Sequence, residues 1–264
     1  MNILDTIIAQ KRTELAVRRP LMPVAELEKQ PLFTAPTLSL TAFLKDPART
    51  GIIAEFKRRS PSKGVINDTA AVAEVTAAYA AHGASAISVL TDEAFFGGKL
   101  ADLEAATINQ VPLLRKDFMI DEYQLVEAKA FGASVVLLIA ACLSPARVKE
   151  LAIAARKLGL EVLLEIHNEA ELAHICTEVD AVGVNNRNLK TFEVDIHTSL
   201  ELINKIPKEK PAVAESGISE VDTIVTLRQA GFKGFLIGEN FMKQASPSVA
   251  FADFVNQLKA KQDA

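Results

Sequence analysis

The chain has 264 residues, 49% of them hydrophobic and 23% charged, with a formal net charge of -4. A chain of this size buries about three quarters of the surface that its unfolded form exposes, so a core can form without disulfides or a structural metal. The acidic balance argues against nucleic acid as a partner, no run of 18 apolar residues offers a membrane span, and Cys142 and Cys176 fit no metal spacing and read as buried free thiols.

The N-terminus, MNILDTIIAQKRTEL, mixes acidic and basic residues among its apolar ones. It lacks the apolar core and cleavage site of a signal peptide, and a cytoplasmic location is expected. Ile3, Leu4, Ile7, Ile8 and Leu15 recur near helical spacing and predict an amphipathic helix over 2–18. A stretch with Pro20, Pro23, Pro31 and Pro36 follows and leads into a second short helix near Leu40–Leu44. Residues 1–48 thus read as a helical extension that lies across one end of the main body or caps the other.

From residue 51 onward, short apolar β-branched runs alternate with longer amphipathic segments. The runs are Ile52–Phe56, Ser85–Leu90, Val111–Leu114, Ser134–Ala140, Glu161–Glu165, Ala181–Val184, Pro211–Ala214 and Gly234–Ile237. Strands apolar on both faces suit a parallel sheet covered by helices. Asp68 is placed to cap a helix over Thr69–Ala81, with Gly83 after its end; Ser144-Pro145 starts another helix and Gly159 closes it. Strand starts spaced by about 20–33 residues give one βα unit each. Eight units predict an α/β fold, a closed (β/α)8 TIM barrel, forming one domain over 1–264 with the N-terminal helical extension. Lys57-Arg58-Arg59-Ser60-Pro61-Ser62 after the first strand is no dinucleotide fingerprint, which argues against an open doubly wound sheet.

Barrel active sites form where strands run out at their C-terminal ends. The first strand ends with Glu55 and Lys57, which alternation puts on one side. The third delivers Arg115, Lys116, Asp117 and Phe118, the fifth Glu165, and the sixth Asn185, Asn186, Arg187 and Asn188. The seventh delivers Glu215, Ser216 and Gly217, and the eighth Gly238, Glu239 and Asn240. Taken singly, each is an ordinary loop charge or turn. Charges gathered on one rim must pair, bind a ligand or perturb each other. The glycine turns after the last two strands suit a phosphate held by backbone N–H groups, so a phosphorylated small molecule is expected.

The motifs EFKRRSPSKG at 55–64, LTD at 90–92, FFGG at 95–98, LRKDF at 114–118, LLEIHN at 163–168, VNNRNL at 184–189, AESGI at 214–218 and LIGE at 236–239 stand in order on these strands. With them the chain resembles the indole-3-glycerol phosphate synthase family over nearly its whole length. The resemblance implies a (β/α)8 barrel with extra N-terminal helices. The implied reaction closes the indole ring of 1-(2-carboxyphenylamino)-1-deoxyribulose 5-phosphate with loss of carbon dioxide and water, without metal or organic cofactor. It implies active-site roles for Glu55, Lys57, Lys116, Glu165, Asn185 and Glu215. Ser60, Arg187, Ser216, Gly217, Gly238 and Glu239 would contact substrate, most of them near its phosphate, and Phe118 and Leu189 would flank its aromatic ring. A small residue at 239 could hold phosphate through its side chain; ionised Glu239 offers only its backbone N–H.

In that chemistry a lysine protonates the carbonyl as the new bond forms, with Lys116 the candidate. Glu165 as base and Lys57 as acid suit the dehydration, and sequence leaves the assignment between the two lysines open. Three rivals are a Schiff-base aldolase using Lys116, a sugar-phosphate isomerase and a phosphometabolite-binding protein. The strand ends lack the isomerase acids, and neither cysteine falls at an expected rim. A monomer or weak homodimer is expected.

Overall fold

In the computed structural model, which describes residues 3–189 and 191–262, eight parallel strands close into a barrel. They are β1 Ile52–Phe56, β2 Ala86–Leu90, β3 Leu113–Lys116, β4 Val135–Ile139, β5 Glu161–Ile166, β6 Ala181–Asn185, β7 Ala212–Glu215 and β8 Gly234–Ile237. Each pairs with its chain neighbours, and β8 closes on β1 through Ile52↔Phe235, Ile53↔Leu236 and Ala54↔Ile237. A short hairpin, Arg59–Ser60 against Gly64–Val65, stands in the loop after β1.

Two-residue alternation divides each strand between two cores. Outward residues such as Ile52, Ile87, Val136 and Val182 pack under the helices. Inward residues such as Ile53, Ala86, Leu137, Leu163 and Val213 fill the barrel. The strands run about where the apolar runs predict, but β3, β6 and β7 extend into their polar ends. Lys116 still pairs with Leu90, and Asn185 with Glu215, because a ladder is a backbone property that a charged side chain does not end. The helix expected over Thr69–Ala81 begins at Val72. Asp68 does not cap it; the Asn67 carboxamide oxygen instead accepts from the N–H groups of Thr69 and Ala70, making a turn ahead of the helix. Ser144 does cap Pro145–Lys157, accepting from Arg147 N–H.

The N-terminal helices take both ends of the barrel. Helix α1, Ile3–Leu21, crosses the C-terminal mouth and buries Ile7, Lys11 and Leu15. Helix α2, Val24–Leu27, buries Leu27 beside Leu15 and Tyr123. Helix α3, Leu40–Lys45, plugs the opposite end with Leu40 and Leu44. Its N-terminus meets Glu161, whose carboxylate accepts from Ser39 and Thr41, an anion where the helix dipole favours one. The two alternatives left open by sequence are therefore both realised, by different helices.

Candidate active site

Under α1 the inward side chains at the strand ends converge. Glu55, Lys57, Ser60, Lys116, Phe118, Glu165, Asn185, Arg187, Leu189, Glu215, Ser216 and Glu239 all line one cavity, roofed by Ile3, Leu4 and Ile7. Gly217 and Gly238 lie in an adjoining lobe that shares Glu55, Lys57, Arg187, Ser216 and Glu239 and adds Lys243. The fourteen residues to which the family resemblance gives site roles thus share one connected space.

Two ion pairs dominate the cavity floor. Lys116 Nζ lies 3.0 Å from Glu165 Oε2 and 3.6 Å from Glu215 Oε2. Lys57 Nζ lies 2.7 Å from Glu55 Oε1. The three carboxylates are buried, at 2–3% exposure, while the ammonium groups keep more contact with the cavity. Asn185 Nδ2 donates to Glu165 Oε1 at 3.1 Å, and its own carbonyl oxygen accepts from Arg187 N–H. Gly183 makes this packing possible: a Cβ there would sit 2.1 Å from Glu215 Oε1.

Three carboxylates against two ammonium groups cannot all ionise cheaply. Burial alone would raise the Glu165 carboxyl, but the Lys116 charge, His167 and the Asn185 amide hold it well below the usual range. Glu215 takes the opposite course. Burial and the neighbouring Glu165 charge push its pKa up to about 8, against the pull of Lys116. Its Oε1 is buried without a hydrogen-bond partner. Lys116 remains an ammonium: burial opposes its charge, and Glu165, Glu215 and Glu55 more than restore it.

The adjoining lobe is built on unusual backbone. Ser216 and Gly217 both have positive φ, 65° and 77°, and Phe192 on the cavity wall has φ 62°. Such conformations in residues with a side chain concentrate at functional sites. The glycines also serve packing. A Cβ on Gly217 would lie 2.5 Å from Val194 Cγ1, and one on Gly238 would lie 2.5 Å from Glu55 Oε1. Arg187 donates to Phe192 O at 3.2 Å and stands 3.9 Å from Glu239, which is equally distant from Lys63. Among the described residues no group of three or more His, Cys, Asp or Glu is set to hold a metal ion.

Several expectations need correction. Arg115 points away from the floor and is fully buried outside the barrel among Asp117, Glu127 and the Gln124 carbonyl, while Asp117 lines the cavity but commits its carboxylate to Arg115 and Lys11. Asn186 is scaffold, accepting from Ser199 and donating to Ser216 O. The cysteines are half-buried rather than buried, and Cys142 lies three residues past Ile139, at the rim. There, burial and the charges of Glu165 and Glu171 raise its thiol far above the ordinary range. Sequence reasoning gave no role to Lys11, Phe96, His167 or Lys243.

Paired lysines and carboxylates at the C-terminal mouth of a roofed barrel define an acid–base enzyme of the (β/α)8 class. The family model described as indole-3-glycerol phosphate synthase matches residues 4–254. The chain belongs to that family, the decarboxylating, ring-closing lyases of tryptophan biosynthesis. It is similar to the indole-3-glycerol phosphate synthase of Bacteroides thetaiotaomicron, 47% identical over 98% of this chain and 99% of that one. The synthase of Salinibacter ruber is 46% identical over 96% and 94%. Among solved structures, a tryptophan synthase complex from Pyrococcus furiosus has a TM-score of 0.61 at 16% identity, covering 80% of this chain and 99% of that chain, which shows the fold alone.

Proposed function

We propose that the cavity binds 1-(2-carboxyphenylamino)-1-deoxyribulose 5-phosphate with its aromatic ring near Phe118 and Leu189 and its phosphate in the lobe at Ser216, Gly217, Gly238 and Glu239. Backbone N–H groups hold the phosphate there, with Arg187 as the nearest guanidinium; Ser60 contacts substrate from the hairpin. Glu239 contributes only its N–H, because its carboxylate already faces Arg187 and Lys63.

Lys116 is the acid of ring closure. As the ring carbon bearing the carboxylate attacks the ribulose carbonyl carbon, the carbonyl oxygen takes a proton from Lys116 and becomes a hydroxyl. Carbon dioxide then leaves, and its bonding electrons restore the benzene ring. In the dehydration Lys57 gives a proton to the departing hydroxyl, while Glu165 removes one from the carbon beside nitrogen. Glu55 holds Lys57, and Asn185 and Glu215 bind sugar hydroxyls; a protonated Glu215 can donate as well as accept.

The observation that carries this reading is Lys116 Nζ lodged between Glu165 and Glu215 at 3.0 and 3.6 Å. The ammonium that can give the proton of ring closure thus lies against the carboxylate that can take the proton of dehydration. The test is incubation with the carboxyphenylamino-deoxyribulose phosphate while following indole absorbance and fluorescence. The chain has no Trp, so protein emission leaves that window clear. No indole signal from folded protein refutes the substrate. We further infer a cytoplasmic monomer or weak homodimer without nucleic-acid binding; the net charge of -4 speaks against a polyanionic partner. Light scattering reads the oligomeric state.

A further inference from the structure

His167 lies two residues beyond Glu165, so strand alternation carries both side chains to the same side. Its ring is enclosed, with 10% of the side chain exposed. Nε2 stands 3.1 Å from Glu165 Oε1, inside ion-pair range but off the ring N–H direction. Nδ1 stands 3.1 Å from Glu171 Oε2. Glu171 is fixed independently of the ring: the His167 backbone N–H donates to Oε2 at 2.7 Å and Asn168 Nδ2 to Oε1 at 3.0 Å. A neutral imidazole has one donor nitrogen and one acceptor, and an acceptor facing a carboxylate is repelled. Only the imidazolium suits a carboxylate at each nitrogen.

We propose that His167, clamped between Glu165 and Glu171, is a positioning residue that keeps Glu165 an oriented carboxylate after Lys116 has given up its proton. The proposal rests on the reading of Glu165 as the dehydration base. Lys116 is the other cation on Glu165, and protonation of the carbonyl removes its charge. Burial would then drive Glu165 to recapture a proton before dehydration. A permanent imidazolium on the opposite oxygen prevents this. The ring's environment supports it: burial lowers the His167 pKa, but contacts with Glu165 and Glu171 raise it to about 10.

The charged and titratable groups around the ring come from several elements. Glu165 is on its own strand and Glu171 on the turn that follows it. Lys116 on β3 and Glu215 on β7 lie beyond Glu165. Cys142 lies past β4 with Asp5 of α1 acting on it, and Arg187, Glu193 and Asp195 share the cavity beside the ring. The near groups are mostly acidic, which favours the charged ring.

The direct test is nitrogen NMR of the labelled wild-type enzyme, with the His167 signals assigned by their loss in His167→Gln. There are only four histidines to separate. Both ring nitrogens should carry protons at pH 8; a ring that turns neutral near the ordinary value of about 6.5 overturns the proposal. The second test is kcat against pH. His167→Gln and Glu171→Gln should each move the acid limb upward, by about one unit for His167→Gln, which is about a tenfold extra loss below the limb. A uniform fall with an unmoved limb in both variants marks a structural role and overturns it. Glu165→Gln separates the two ideas. If it is nearly inactive while the limb stays put in the His167 and Glu171 variants, only the clamp fails. If it turns over like wild type, the base assignment fails and takes the clamp with it.

Discussion

Arg115, Lys116 and Asp117 are consecutive, yet they belong to two ion networks of opposite character. On the outer side of β3 the Arg115 guanidinium donates to Glu127 at 2.6 Å, Asp117 at 3.1 Å, Thr91 Oγ1 at 3.1 Å and Gln124 O at 2.9 Å. Asp117 is also met by Lys11 at 3.0 Å, by the Thr91 hydroxyl and by the Phe118 N–H. Lys11 in turn holds Asp92 and Glu14, both at 2.9 Å, and so pins α1 to the ends of β2 and β3. On the inner side Lys116 has two carboxylates, one of which keeps a buried oxygen without a partner. The carboxyls differ accordingly. Burial opposes ionisation of Asp117, but Lys11 and Arg115 hold it well below the usual range, whereas Glu215 is pushed up to about 8. In the outer network each carboxylate faces a cation, Asp92 Oδ2 through its ion pair with Lys11 alone, and the set fixes structure; the inner set has a carboxylate in surplus and is left ready for a ligand.

The sharpest way to break this contrast is to delete one cation from each side. Lys116→Ala should lower kcat by roughly 10²–10⁴, the usual size of an acid–base contribution, with substrate affinity within about tenfold. Steady-state kinetics with calorimetric binding reads both, and wild-type-like turnover would remove Lys116 from the mechanism. Borohydride with substrate should trap no adduct on Lys116; a mass shift there would favour the Schiff-base rival. On the outer side, Arg115→Met leaves Asp117 and Glu127 buried with one cation fewer. Breaking such a network costs about 3–5 kcal/mol. Urea unfolding followed by circular dichroism measures it, and a loss under about 1 kcal/mol would show that the outer network holds little. Glu165→Gln keeps the shape of the inner network and removes the base proposed for dehydration, so kcat should fall by at least about a hundredfold. Retention of more than about a tenth of the activity would send the search for the base to Glu55 or Glu215.

The barrel was legible because its signals are local: eight apolar runs, glycines after helices and polar strand ends. The inner set was legible for the same reason, since Glu55, Lys57, Lys116, Glu165, Asn185 and Glu215 each follow an apolar run. Arg115 and Asp117 also follow such a run, so their position alone places them on the rim, while alternation from the inward Leu114 turns Arg115 outward. Lys11 left a trace that could have been used. It sits at helical spacing between Ile7 and Leu15, so it falls on the buried stripe and must find carboxylates there. His167 left a similar trace, two residues after Glu165. The need for Gly183 opposite Glu215 is a contact across neighbouring strands, and no spacing in the sequence announces it.

The last test concerns the charge state of Glu215. Its pKa is raised from the ordinary 4.5 to about 8 in the folded protein, by burial first and by Glu165 second. A carboxyl raised in this way binds more protons folded than unfolded. The stability it contributes is fully present below pH 4.5 and is lost as pH rises through about 8. Glu215→Gln mimics the protonated form and cannot lose that contribution. Its melting temperature relative to wild type should therefore climb as pH rises from 5 to 8. For a chain this long a change on the order of 1 kcal/mol moves the midpoint by about 2–4 °C. Glu165 does not imitate this trend: held below the usual range, it contributes stability above the ordinary carboxyl pKa and loses it only in acid. His167, raised to about 10, loses its contribution in the same direction as Glu215 but is present in both proteins and cancels from the difference. Calorimetry of the pair across this range is the measurement. A constant difference from pH 5 to 8 would mean that Glu215 is ionised throughout and that the inner network carries its surplus negative charge unprotonated.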